Sequence, residues 1–173
     1  MDALKAMMSR ISVRRFTEQE ISEADLRTIL EAGMSGLTCI NSRDWAFVVV
    51  RDKEMLNKMA DINGRAAEPL RGANVGIMVC GDLERACPFA KDYWVIDGAI
   101  AAQNMILAAQ ALGIGSVWLG TWPQQEKVDG QAALFNLPED KVPHSLIAFG
   151  YPAEGEQREK VNWEEGRVHY EQW

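Results

Sequence analysis

The sequence predicts an α+β fold, a sheet flanked by helices, and three observations carry that prediction. Short aromatic and β-branched runs at residues 45–50, 75–80, 116–119 and 146–149 read as buried strands. Residues 96–112 are Ala-rich and apolar on nearly every face, the pattern of a helix wet on no side. Strands and helices are mixed without a regular βαβ rhythm, and no GxGxxG follows a strand, so the Rossmann and P-loop fingerprints are both missing.

Taken in order, Leu4, Met7 and Met8 have helical spacing. A second helix starts at Ser22, which with Asp25 imitates a capping box, and Leu26, Ile29 and Leu30 form its apolar stripe. Between the two helices runs SRISVRRFTEQEI, polar and Arg-bearing, which breaks the stripe and reads as a loop or short extended segment. Beyond the first strand, residues 61–93 read mainly as connection, holding Cys87-Pro88-Phe89 and Tyr93-Trp94 in no interpretable pattern. Helix 96–112 ends at Gly113, where a left-handed cap belongs. A helix without a polar face in so small a chain needs cover, and a second subunit is the expected cover, with burial by its own chain as the alternative. Residues 154–165 form an acidic, polar segment, and the closing Arg167-Val168-His169-Tyr170-Glu171-Gln172-Trp173 is too aromatic for simple disorder.

At 173 residues and 47% hydrophobic, the chain suits one domain, residues 1–173. A net charge of -7 argues against sequence-independent attraction to nucleic acid or anionic membranes. No apolar run reaches the roughly 20 residues of a membrane span, and MDALKAMMSR lacks the features of a signal peptide, so a cytoplasmic location is expected. Cys39, Cys87 and Cys80 have no CxxC spacing and read as free thiols, while His144 and His169 lack companions at metal or catalytic spacing. No metal site is expected.

Three segments could carry chemistry. In extended backbone, Arg10-Ile11-Ser12-Val13-Arg14 projects Arg10, Ser12 and Arg14 to one side, with Ile11 and Val13 on the other. Two guanidinium forks flanking a hydroxyl suit a phosphate, although a solvated basic loop paired to surface acids has the same pattern. In Gly113-Ile114-Gly115-Ser116-Val117-Trp118-Leu119-Gly120, a capped helix leads into a strand that ends on glycine, where backbone amides can approach a flat ligand. In Thr38-Cys39-Ile40-Asn41-Ser42-Arg43-Asp44-Trp45, Asn41 offers a donor and an acceptor just before a strand.

In this order, the segments resemble the nitroreductase family of FMN-dependent oxidoreductases along essentially the whole chain. Arg10-x-Ser12-x-Arg14-x-Phe16 is similar to the family's opening signature, and Asn41 followed by Trp45 to its second, usually Asn-x-Gln-Pro-Trp. Here Arg43 and Asp44 stand in place of Gln and Pro, and a local Arg43–Asp44 ion pair is the favoured reading over a substrate contact. Residues 97–120 resemble the family's central dimer helix and following strand, while Phe149-Gly150-Tyr151-Pro152 and Arg167-Val168-His169-Tyr170 resemble its C-terminal pattern.

The resemblance implies a nitroreductase-like fold with a central, mostly antiparallel sheet and a buried central dimer helix. It implies a homodimer in which Arg10 and Ser12 grip the FMN phosphate and Arg14 lies at the pyrimidine side of the flavin. A fixed cation there stabilises the negative charge of the reduced ring. It places Asn41 at the ring's polar edge, from the other subunit, and the amides of Leu119 and Gly120 near N5, with Arg158 or Lys160 completing the phosphate site. The implied activity is hydride transfer from NADH or NADPH through flavin N5 to a nitroaromatic, quinone or flavin acceptor by a ping-pong mechanism, with no catalytic protein nucleophile. Residues 61–93 are expected to select the acceptor, and one or two of Trp94, Trp118 and Trp122 to line its pocket. The alternative is an FMN-binding carrier or regulatory protein, which would react with nicotinamide no faster than free flavin does. A plain phosphate or nucleotide binder would show no preference for flavin.

Overall fold

A computed structural model describes residues 1–156, 160 and 162–173 of the chain. Its helices and strands are α1 (Ala3–Ser9), α2 (Glu23–Met34), β1 (Trp45–Val50), α3 (Lys53–Asn63), α4 (Pro69–Gly72), β2 (Val75–Asp82), α5 (Trp94–Ala111), β3 (Gly115–Gly120), α6 (Gln125–Leu134) and β4 (Lys141–Gly150). The four strands form one sheet in the order β1-β2-β4-β3, every pair antiparallel. All four expected strands are present, with β4 longer at its N-terminal end than residues 146–149.

The strand order explains the burial. β2 is central and all eight of its residues are buried. Alternation sends Val75, Ile77 and Val79 to one face, where they meet Leu26 and Ile29 of α2 and Met105 and Ile106 of α5. Met78 and Cys80 face the other way, against Leu56 and Met59 of α3 and Leu70 of α4. Burying each such large side chain contributes about 1.5–3 kcal/mol.

Ser22 caps α2 as its spacing suggested: its hydroxyl accepts from the Asp25 amide at 3.1 Å. Gly113, at φ 79°, ends the turn after α5. Apart from the expected strand β2, residues 61–93 depart from the expected connection: they contain the end of α3 and all of α4. The periodicity of α3 was legible in Leu56, Met59, Ala60 and Asn63, all buried, with Asp52 as its N-cap.

α5 is not buried on every side. Ile96 is 52% exposed and Gln103 exposed, with Ile100 and Leu107 half-buried, so one helical stripe stays uncovered. The apolar face of α1 beside it is uncovered too, with Leu4 at 69% and Met8 at 54% exposure. In the C-terminal segment His169 stacks on Trp173, ring centroids 4.4 Å apart. No described helix is long and apolar enough to cross a membrane.

Candidate functional site

The residues singled out from sequence gather at the two ends of α5. At its C-terminal end, Arg10 leaves α1 with φ −59° and ψ 128°, and the chain runs extended along β3. Ser12 bridges Ser116, and the Val13 amide donates to the Ser116 carbonyl at 2.9 Å. Val13, 2% exposed, packs over Gly115, where an added Cβ would meet its side chain at 2.8 Å. Alternation therefore turns Ser12 and Arg14 outward, as the spacing implied.

The solvated-basic-loop reading requires partners for these arginines. The nearby carboxylate, Glu156, instead accepts from Arg15 Nε at 2.9 Å and from the Arg14 backbone amide at 2.9 Å. Among the described residues neither Arg10 nor Arg14 makes an ion pair; Arg14 reaches only the Ser12 carbonyl, at 3.4 Å. Lys160 Nζ donates to the Met7 carbonyl at 2.8 Å and Asn162 to that of Met8, so this part of the chain lies on the carbonyl end of α1, next to Arg10. Arg158 lies outside the described residues.

β3 is the sheet edge beside this cluster. Because Ser116 spends its carbonyl outward on Val13, alternation turns the backbone groups of Trp118 and Gly120 outward as well, and those of Leu119 toward Leu146 on β4. Of the two amides singled out, Gly120's thus faces the open side and Leu119's faces the sheet. An added Cβ on Gly120 would meet nothing within 4 Å, so its backbone is open to close approach. Its carbonyl accepts from Asn63 Nδ2 at 3.1 Å, and Asn63, 3% exposed, is held in turn by Gln131. A cavity of about 510 Å³ is lined by Arg14, Phe16 and Arg65. Sequence reasoning missed Asn63 and Arg65; the signal was Gly64, whose φ of 74° stops α3 and redirects the chain at Arg65.

At the N-terminal end of α5 lies the Asn41 loop. Ile40, Asn41 and Arg43 adopt φ of 48°, 57° and 54°, left-handed values rare outside Gly and Asn and strained for a β-branched residue. The Cys39 amide donates to Asp97 Oδ2 at 2.9 Å, the Arg43 amide to Thr38 Oγ1 at 3.0 Å, and Arg85 Nε to the Ser42 carbonyl at 3.3 Å. Asn41 is exposed. The expected Arg43–Asp44 ion pair is not formed. Arg43 lies over the Trp45 ring, 5.1 Å from its centroid, whereas Asp44 is fully buried with neither carboxylate oxygen bonded. Burial first, then the negative charge of Asp97, pushes Asp44 up to about 6.

The thiols are free. A hydrogen bond to Cys87, then burial, pushes Cys39 up to about 11, and burial alone pushes Cys80 up to about 12, so neither is an activated nucleophile. Burial lowers the pKa of His144, which packs against Gly98 and the rings of Trp94 and Trp118. Trp94 and Trp122 meet edge-on at 5.0 Å and line a cavity of about 640 Å³ that Trp118 does not line. Asp82, Glu84 and Asp140 approach one another closely, but Lys141 pairs with both Asp82 and Asp140.

The model of the Nitroreductase family matches residues 7–151, a span that includes both ends of α5 and every strand. The chain belongs to the nitroreductase family. A relative from Methanothermobacter thermautotrophicus, provisionally named NADH dehydrogenase/NAD(P)H nitroreductase, is 39% identical over 100% of this chain and 88% of its own. A solved structure from Bacteroides thetaiotaomicron, provisionally given the same name, superposes with a TM-score of 0.91 at 36% identity, covering 99% of this chain and 98% of that one. A provisionally named nitroreductase from Desulfovibrio desulfuricans, crystallised in complex with FMN, has a TM-score of 0.82 at 31% identity, covering 100% of this chain and 98% of that one. The nitroreductase fold and an oxidoreductase activity follow. Within this nitroreductase, Arg10, Ser12, Arg14, Asn41, Leu119 and Gly120 lie inside the matched span, and Lys160 and Arg158 lie beyond it.

Proposed function

We propose that this nitroreductase binds FMN beside β3 and uses it to pass electrons from NADH or NADPH to a small acceptor, a nitroaromatic, a quinone or a free flavin. The observation that carries the reading is the pair of guanidinium groups, Arg10 and Arg14, which make no ion pair among the described residues and are presented by a segment docked on β3 at Ser116, four residues along the strand from the open backbone of Gly120. These residues fit the cofactor. Arg10 and Ser12 suit a phosphate, with Lys160 alongside at the end of α1; Arg14 and Arg65 supply positive charge to a flat ring; and Gly120 leaves room for it.

FMN, when bound, would supply a two-electron hydride carrier between the two substrates. The protein's part is to hold the phosphate, to place a fixed cation at the ring's pyrimidine side, and to offer the outward Gly120 amide. Both substrates in turn use one pocket, which makes the kinetics ping-pong and requires no protein nucleophile.

The full site needs two copies. Asp97, which holds the Asn41 loop, and Gln110, which bonds Ser9, are thirteen residues apart on α5, about 20 Å of helix. A flavin at Arg10 therefore meets Asn41 only from a second subunit whose α5 runs the opposite way. The uncovered stripe of Ile96, Ile100, Gln103 and Leu107 supports such a homodimer. In this reading residues 1–173 act as one FMN-binding domain in the cytoplasm.

The purified chain, supplied with FMN, is expected to show a protein-bound flavin spectrum and to oxidise NADH or NADPH in the presence of a nitroaromatic or quinone. Absence of both overturns the reading. Binding of FMN with turnover no faster than that of free flavin favours a carrier instead.

A further inference from the structure

Beside the end of β3, three buried polar side chains form a run of hydrogen bonds that finishes on the Gly120 carbonyl. Asn63 is 3% exposed, and Thr121 and Gln131 are fully buried. Asn63 Nδ2 donates to the Gly120 carbonyl at 3.1 Å and to Thr121 Oγ1 at 3.1 Å. Gln131 Nε2 donates to Asn63 Oδ1 at 3.0 Å and to the Met59 carbonyl at 2.9 Å. The two carbonyls fix the direction of the whole run, because a carbonyl only accepts. The Gly120 end demands the Asn63 nitrogen, which turns the Asn63 oxygen to Gln131, and the Met59 end demands the Gln131 nitrogen. Flipping either amide alone would set like atoms against each other at both of its contacts.

The network is not there to fill the core. Val128 and Gln131 are the buried residues of α6, and the helix closes on the end of α3 at Gly130, where an added Cβ would meet Ile62 Cγ2 at 2.7 Å. That approach brings Gln131 to Asn63, the last residue of α3. Gln131 Oε1 has no partner among the described residues. Leu or Met would fill the same space without burying an unbonded oxygen, so the Gln131 amide is explained by its hydrogen bonds and not by packing.

Gly120 needs such an anchor. It ends an edge strand, and its missing side chain gives it nothing to pack, since an added Cβ would meet no atom within 4 Å. Glycine backbone in such a place turns freely unless a bond holds it. Within a strand the amide and carbonyl of one residue point the same way, so fixing the Gly120 carbonyl also fixes the direction of its amide.

We propose that Asn63, braced by Gln131, is a positioning residue that locks the Gly120 backbone with its amide toward the flavin, and so sets how fast bound FMN accepts hydride from NADH or NADPH. The flavin contact of Gly120 rests on the function proposed above; the anchoring of Gly120 does not. An N–H aimed at the ring draws electron density from it, and one held in advance needs no reorganisation when the hydride arrives.

The test uses the full-length chain as wild type, Asn63→Ala and Gln131→Met. The order parameter of the Gly120 amide is measured by NMR relaxation without flavin, the FMN dissociation constant by fluorescence quenching, and the rate of flavin reduction by stopped flow at saturating NADH or NADPH. In wild type the Gly120 amide is expected to be as rigid as the strands, with an order parameter near about 0.85, and in Asn63→Ala to fall below about 0.6. Asn63→Ala should slow reduction by about tenfold, less than outright loss of a preorganised donor, and raise the FMN dissociation constant by about threefold at most. Gln131→Met should fall between the two proteins in both order and rate. A mobile Gly120 in wild type, or a rigid one in Asn63→Ala, overturns the anchoring. Gln131→Met indistinguishable from wild type overturns the brace. A loosened Gly120 with an unchanged reduction rate, or weaker FMN binding with an unchanged rate at saturation, overturns the link to the flavin. If neither variant folds, the order parameter of wild type decides the anchoring. Failure of wild type to bind FMN overturns the proposed cofactor and the link to it together, while the order parameters still decide whether Asn63 holds Gly120.

Discussion

At the C-terminal end of α5 stand two arginines, and at its N-terminal end two buried aspartates, Asp44 and Asp97, and among the described residues none of the four makes an ion pair. The first end is built on ordinary extended backbone, pinned by Val13 to Ser116 and packed on Gly115. The second is built on a loop with three left-handed residues, none of them glycine. The cationic end gains from a ligand that brings negative charge, and its backbone does not need one. The anionic end is held by a hydrogen bond from the Cys39 amide to Asp97 and by strained left-handed backbone.

The largest expected effect breaks the frame of the cationic end. Gly115→Val would drive a side chain into Val13 and lift the N-terminal segment from β3, at a cost of about 1–3 kcal/mol in a denaturant titration and with loss of FMN binding. Next, Arg10→Ala should raise the FMN dissociation constant by on the order of ten- to a hundredfold, while leaving the melting temperature of the flavin-free protein unchanged. Arg14→Ala should slow reduction by NADH or NADPH in stopped-flow measurements by on the order of tenfold, more than it loosens FMN. Equal effects of the two arginine changes on affinity and rate would undo the division of labour between them. Lys160→Ala should have the smallest effect, a few-fold in FMN affinity at most, because its ammonium is already shared with the Met7 carbonyl.

The regular parts of the fold were legible because their signals are local. Strand β1 matches its expected bounds, α2 starts at its Ser22 cap, and the Gly113 turn lies where a left-handed residue was required. α3 was equally local in its Leu56, Met59 and Ala60 stripe and its Asp52 cap, and was passed over because the segment around it lacked a recognisable motif. Asn63 and Arg65 were lost with it. The fate of Asp44 was of another kind. Adjacent opposite charges suggest an ion pair, but the strand that follows begins by turning Asp44 fully inward, where neither carboxylate oxygen is hydrogen-bonded. Neighbours in sequence do not reveal which side of a loop will be dry.

What the chain's own order of residues settled was the four strands, the helices α1, α2 and α5, and the chemistry of the Arg10-x-Ser12-x-Arg14 strip, because period-2 alternation and helix capping act over a few residues. What required the folded molecule was which of those groups make no ion pair among the described residues and how far apart they stand. Glu156 accepts from the Arg15 side chain and the Arg14 backbone amide because the chain returns there after β4. The length of α5, about 27 Å at 18 residues, separates Asn41 from the phosphate cradle within one chain. Both outcomes depend on long-range packing, where charge pairing and distance are decided by elements that meet only after the sheet has formed.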